Sequence, residues 1–171
     1  MFFLRTLEPG QATGKTAEIF KAFEQVGIPE PLKLLSASPG LLERQFGMIE
    51  YFRGHPNLSP QLLASIRYVV SKKTGHVACF EFNGKLLCKM GAKEEELAEL
   101  ADQARSHMLD QAEQALLTFV IKTVDAPKSV TSSDIETLRG LGFADSDILD
   151  ATVHGANMKA ATDVYLAFTR D

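Results

Sequence analysis

Nothing in this chain is apolar for long enough to cross a membrane, since its apolar runs last a few residues where a spanning helix needs roughly 20. The opening MFFLR has three apolar residues before an arginine and no small-residue cleavage pattern, so no secretory leader is expected. A basic excess is missing as well: 18 basic residues stand against 22 acidic ones, the net charge is −4, and the cations are scattered. Such a surface has no footprint for a nucleic-acid backbone, so neither nucleic acid nor a membrane is expected as a partner. Cysteine is scarce, with two residues, Cys79 and Cys88, which is too few for a disulfide framework. Low-complexity tracts are absent, and no segment combines strand-forming residues with paired turn signals. These absences together point to an ordinary globular, cytoplasmic protein with reduced thiols.

What is present is helical periodicity. The 171 residues, 45% hydrophobic and 23% charged, suit a single domain spanning 1–171. Residues 13–26 carry Ile19, Phe20, Phe23 and Val26 at helical spacing and stop at Gly27, with Pro29 and Pro31 beyond. Ser38-Pro39 opens a second helix ending at Gly54, and Ser59-Pro60 a third ending in Lys72-Lys73, where the helix dipole favours cations. A fourth runs from about His76 to Met90 and closes at Gly91. A fifth begins near Lys93 with Glu94, Glu95 and Glu96 in its first turn, and a sixth covers 110–124. Ser132 or Ser133 can cap a short seventh, and Asp145 can cap the last, from about Ser146 to Phe168. The class is all-α.

The segment GQATGKT, residues 10–16, ends as phosphate-binding loops do, but it has three residues between its glycines rather than four. No buried strand precedes it. It reads as a loop entering the first helix, with Thr13 as the cap.

The chemistry-bearing stretch is GHVACFEFNGKLLCKMG, residues 75–91, which holds both cysteines and His76. With His76 at zero and 100° per residue, Cys79 falls at about 300° and Asn83 at about 340°, on the side shared by Leu86, Leu87 and Met90. Glu81, Lys85 and Lys89 occupy the other side, so His76, Cys79 and Asn83 belong to the buried face. Cys88 lies about half a turn around the helix from Cys79 and cannot reach it. A thiol in the first helical turn feels the positive end of the macrodipole, which favours thiolate. His76 can add a hydrogen bond or charge, and Asn83 can bind a substrate oxygen or orient the ring. The plainer alternative is that all three are satisfied core groups.

The run LSPQLLASIRYVVSKKTGHVACFEFNGKLLCKMG, residues 58–91, resembles the core motif of the alkylhydroperoxidase D-like, or carboxymuconolactone decarboxylase, family. In that motif a helix follows Leu-Ser-Pro, and Asn-Gly-Cys-x-x-Cys-x-x-x-His opens the next helix, which closes at a Gly. The segments ATGKTAEIFKAFEQVG, ASPGLLERQF and VTSSDIETLRGLGFADSDILDATVHGANMKAATDVYLAF resemble the family's first helix, its Pro-initiated second and its closing pair. The resemblance covers most of the chain. It implies a helical bundle of about seven to eight helices that assembles as homo-trimers or hexamers. It also implies antioxidant, peroxiredoxin-type peroxidase chemistry in which a Cys-x-x-Cys pair reduces a hydroperoxide, assisted by the His and by a Glu on the preceding helix.

This sequence departs from that pattern at the positions that react. His76 stands at the first cysteine, Cys79 at the second, Asn83 at the histidine and Ala64 at the glutamate. An oxidised Cys79 therefore has no internal resolving partner, and a dithiol cycle is not possible. One expectation is a one-cysteine, thiol-dependent peroxidase-like oxidoreductase at Cys79, with His76 and Asn83 as its neighbours. The alternative is a catalytically inactive oligomeric binding protein on the same fold, taking a hydroperoxide or another small ligand. A third is an enzyme of unrelated chemistry at the same three residues. His154, on the last helix with Met158, Ala161 and Tyr165, reads as a satisfied core or interface histidine. Ligands as sparse as His76, Cys79 and His154 do not make a zinc pattern, so no metal and no cofactor is expected.

Overall fold

The computed structural model describes residues 1–169. Among these, nine α-helices follow one another: α1 Gly14–Ala22, α2 Glu30–Leu35, α3 Pro39–Arg53, α4 Pro60–Lys73, α5 Val77–Lys89, α6 Glu94–Gln103, α7 Gln111–Asp125, α8 Ser132–Gly140 and α9 Asp145–Phe168. Strand-type pairing among the described residues amounts to one isolated bridge between Phe2 and Thr169. The all-α expectation holds, with one helix more than the sequence suggested. That helix is α2, hidden by Pro29 at its N-cap and Pro31 in its first turn. Pro31 lies in the first turn, where a missing N–H costs nothing, and the Pro29 carbonyl accepts the N–H groups of Leu32 and Lys33.

Other boundaries shift for local reasons. The first helix stops at Ala22 rather than Val26, because residues 23–26 tighten into turns before Gly27 at φ +84°. Thr131, not Ser132 or Ser133, caps α8, and its own N–H donates to Asp134 at 2.7 Å. Asp145 does not cap α9. The Ala144 N–H instead donates to Asp147 at 2.9 Å, while Asp145 accepts from Arg139 Nε at 2.7 Å.

The chain divides into two compact units, one of residues 1–54 with the end of α9 from Asp163 onward, the other His55–Thr162. In the first, Ile19, Phe20, Phe23, Leu32 and Leu42 form a core from α1, α2 and α3, with Phe46 meeting Phe23 edge-on at 6.1 Å. Lys15, from the segment that mimics a phosphate loop, pairs with Glu18 at 3.0 Å, and a 3-10 turn at Pro9–Gln11 precedes it.

The second unit is built around α4. Ser59 caps it by accepting the Leu62 N–H at 3.0 Å, Pro60 starts it, and Lys72 and Lys73 end it. Leu62, Leu63, Ile66, Val69 and Val70 are buried as their spacing predicts, but so are Ala64, Ser65, Tyr68 and Ser71, which makes α4 a central rather than a one-sided helix. Gly75, at φ +76°, turns the chain into α5.

Two glycines then fix how closely α4 is approached. On α5, a Cβ at Gly84 would lie 3.1 Å from the Tyr68 ring, which stacks on Phe80 at 4.4 Å. On α9, a Cβ at Gly155 would lie 2.5 Å from Val120 Cγ1 and 3.4 Å from both Ile66 and Val124. Gly155→Ala is therefore expected to destabilise the protein by about 1–2 kcal/mol, overpacking outweighing the gain in helix propensity. The urea midpoint should fall accordingly, and in a Val120→Ala background the same substitution should cost nothing.

Candidate functional site

His76, Cys79 and Asn83 are buried, at 1%, 8% and 2% exposure, while Val77 between them is 66% exposed. The helical periodicity of α5 thus places all three inward. Cys88 is exposed, and both thiols are free.

His76 is the N-cap of α5, and its Nδ1 accepts the Cys79 N–H at 3.4 Å. An accepting Nδ1 leaves the ring proton on Nε2, which sits 3.4 Å from Cys79 Sγ and donates to the sulfur. Burial lowers the His76 pKa, so the ring is neutral at pH 7. Cys79 responds to the same environment in the opposite direction. Burial pushes its thiol up to about 12, and the nearby Arg67 guanidinium pulls it down by less. Burial therefore opposes the thiolate that a place in the first helical turn favours.

Asn83 neither orients the His76 ring nor points an amide at open space. Its Nδ2 donates to the Cys79 carbonyl at 2.8 Å, and its Oδ1 accepts from Arg67 Nε at 2.8 Å. Arg67 is thus a further site residue, unread in the sequence. It lies one helical turn beyond Ala64 on α4, four residues after the buried Leu63 and three before the buried Val70. That spacing, an arginine within an apolar stripe, was the available signal.

Arg67 also reaches His154, with Nη1 3.0 Å from the ring Nε2. A guanidinium has only donors, so His154 Nε2 accepts and its proton lies on Nδ1. The Leu63 carbonyl, 3.3 Å from the same Nε2, is then a contact rather than a bond partner, because one lone pair cannot also donate. Burial first and the Arg67 charge second hold His154 down at about 3. Arg67 itself is lowered to about 10 by desolvation and stays charged at neutral pH. The reading of His154 as a satisfied buried histidine agrees with this. With His154 Nε2 bound to a cation and His76 Nδ1 bound to backbone, these residues do not converge on a metal position, and no group of three or more possible ligands occurs among the described residues.

A second polar cluster in the same unit is architectural. His55 Nδ1 accepts the N–H groups of Asn57 and Leu58, its Nε2 then donates to Asp150 at 3.2 Å, and Asn57 Nδ2 donates to Asp147 at 3.1 Å. These bonds tie the turn before α4 to the first turns of α9.

No family model and no curated protein matches the chain. Solved structures do. A peroxidase-related protein from Silicibacter sp. TM1040 superposes with a TM-score of 0.83 at 23% identity, over 96% of this chain and 87% of that one. An alkylhydroperoxidase AhpD core, a peroxidase-related protein from Ralstonia eutropha JMP134, does so with a TM-score of 0.83 at 18% identity, over 98% and 90%. The chain has the alkylhydroperoxidase D-like fold. The debrominase Bmp8, in complex with 2,3,4-tribromopyrrole, shares the alkylhydroperoxidase D-like fold at a TM-score of 0.69 and 15% identity, over 96% of this chain and 88% of that one. No helix among the described residues is long and apolar enough to cross a membrane.

Proposed function

We propose that this chain is a divergent member of the alkylhydroperoxidase D-like, or carboxymuconolactone decarboxylase, family that has lost dithiol peroxide reduction and serves as an oligomeric small-molecule-binding protein. One observation carries the reading: the thiol of the site is buried, at 8% exposure, and that burial pushes it up to about 12. A neutral buried thiol is a poor nucleophile, and the other cysteine, Cys88, is exposed on the opposite side of α5. The position that the resemblance gives to a glutamate is Ala64, fully buried, so the proton relay is absent as well. By the same resemblance the chain forms trimers or hexamers, and a plain monomer in light scattering would count against the family assignment.

A second reading, a one-cysteine peroxidase, is favoured by the His76 Nε2 at 3.4 Å from Cys79 Sγ. In that chemistry the Cys79 thiolate attacks the outer oxygen of a hydroperoxide, the O–O bond breaks, an alcohol leaves, and the sulfenic acid is reduced by two equivalents of an outside thiol with loss of water. Consumption of cumene hydroperoxide in the presence of dithiothreitol separates the two. The rate is expected to equal that of Cys79→Ser and of the thiol alone. Turnover that saturates and disappears in Cys79→Ser would replace the binding reading with the peroxidase one.

A further inference from the structure

Arg67 is a part-buried cation with no counter-charge among the described residues. Its hydrogen-bond partners are a neutral amide and a neutral imidazole. Every other arginine or lysine that bonds a side chain here meets a carboxylate: Lys15 with Glu18, Lys33 with Glu30, Lys73 with Asp125, Lys122 with Asp134, and Arg139 with Glu136 and Asp145. Two of those pairs, Lys33 with Glu30 and Lys122 with Asp134, are part-buried and the others exposed, whereas Arg67, which desolvation lowers to about 10, has no carboxylate partner. Taking a charge out of water without pairing it is costly, so a chain that keeps this arrangement gains most when an anion arrives.

The geometry around Arg67 is that of a held receptor. Of the five N–H groups of a guanidinium, Nε donates one to Asn83 and Nη1 one to His154, which leaves three, two of them on Nη2. Asn83 is fixed in turn by its bond to the Cys79 carbonyl, and His154 by its place in α9 beside Gly155. The plane of the guanidinium is therefore set before any ligand arrives, and a planar fork of donors matches two oxygens of one anion. The surrounding groups do not compete for it: His76 and His154 are held neutral, and so is the Cys79 thiol.

We propose that Arg67, held by Asn83 and His154, is the receptor for a small oxyanion, a carboxylate or an inorganic phosphate, bound beside Cys79. The proposal deepens the small-molecule-binding reading and rests on it. The ligand meets the unused N–H groups of the guanidinium, with Cys79 and His76 as neutral neighbours rather than as reactants. It places the recognition element on α4, one turn beyond Ala64, rather than on the cysteine.

The test follows the Arg67 Nε–H resonance and the Asn83 side-chain amide of the 15N-labelled full chain while acetate or phosphate replaces chloride at constant ionic strength. A saturable shift with acetate alone identifies a carboxylate receptor, and one with phosphate alone an inorganic oxyanion receptor. In Arg67→Lys the charge remains but the fork is lost, and the affinity read from Asn83 should fall by about tenfold or more. Arg67→Met should abolish the saturable response. If that variant does not fold, the wild-type titration and Arg67→Lys decide the matter. Shifts that are linear, or the same whichever anion is used, would overturn the proposal, as would an unchanged affinity in Arg67→Lys. Failure here without hydroperoxide turnover removes the oxyanion alone, whereas turnover with a saturable shift removes the non-redox reading and leaves the receptor.

Discussion

At pH 7.5, iodoacetamide is expected to alkylate the exposed Cys88 and leave Cys79 essentially unmodified, at a rate about three orders of magnitude below that of a free thiol. The figure follows from the thiolate fraction. A free cysteine titrating near 8.5 is about a tenth thiolate at this pH, whereas a thiol pushed up to about 12 holds only about 3 in 100,000 as thiolate. Two features of the site act on that value, and a third, His76, touches the sulfur. Burial dominates and opposes ionisation, the Arg67 guanidinium opposes burial with a smaller effect, and the neutral His76 donates a hydrogen bond without contributing a charge. The labelling rate of Cys79 should rise close to tenfold per pH unit up to pH 10, and both cysteines should label at the same rate in denaturant. Rapid labelling of Cys79 at pH 7.5 in the native state would mean that the guanidinium, and not burial, governs the thiol.

Folding stability is expected to fall as the pH drops below about 6.5, well before the carboxylates are protonated. His154 is the main cause. Its folded pKa, held at about 3, lies below the usual value of 6.5, so the unfolded chain takes up the proton first. The stability that depends on the neutral ring is complete above pH 6.5 and is lost progressively down to about pH 3. One such group gives a slope of about 1.4 kcal/mol per pH unit in that window, and His76, also lowered by burial, adds to it in the same direction. Asp134, held near 2 mainly by Lys122, acts only below the unfolded carboxylate range, so urea midpoints at pH 6.5, 5.5 and 4.5 isolate the histidines. In His154→Gln, whose amide oxygen can accept from Arg67, the slope should shrink to the part due to His76. A midpoint that stays flat from pH 6.5 to 4.5 in the native sequence would contradict the buried, neutral ring.

The fold was legible wherever a helix announces itself by apolar spacing and a stop. α3, α4, α5 and α7 fall where Pro, Ser, Asp and Gly punctuation puts them. It was less legible where one residue type carries two meanings. Pro29 and Pro31 read as the end of α1 and proved to be the start of α2, since proline marks both boundaries. The caps of α8 and α9 were misplaced by one or two residues, because Thr, Ser and Asp crowd both starts and the bond that decides between them is not periodic. The inward face of α5 could be read from helical geometry, so the burial of His76, Cys79 and Asn83 was legible. Their chemical states were not. Whether Cys79 is a thiolate depends on how far burial exceeds the help of the helix terminus and of Arg67, and α4 supplies that arginine from 12 residues upstream. Arg67 lies outside the motif-bearing α5, although an arginine between Leu63 and Val70 on a buried stripe is itself an unusual signal.

The site sits on an alkylhydroperoxidase D-like fold and holds the Cys79 thiol neutral near a guanidinium that has no carboxylate partner among the described residues. The 13Cβ chemical shift of Cys79, followed from pH 6 to pH 10 in the native protein, tests this most directly. No titration is expected below pH 10, in line with a thiol pushed up to about 12. A titration midpoint below 8.5 would show an activated thiolate, and the site would then have to be read as a working one-cysteine centre.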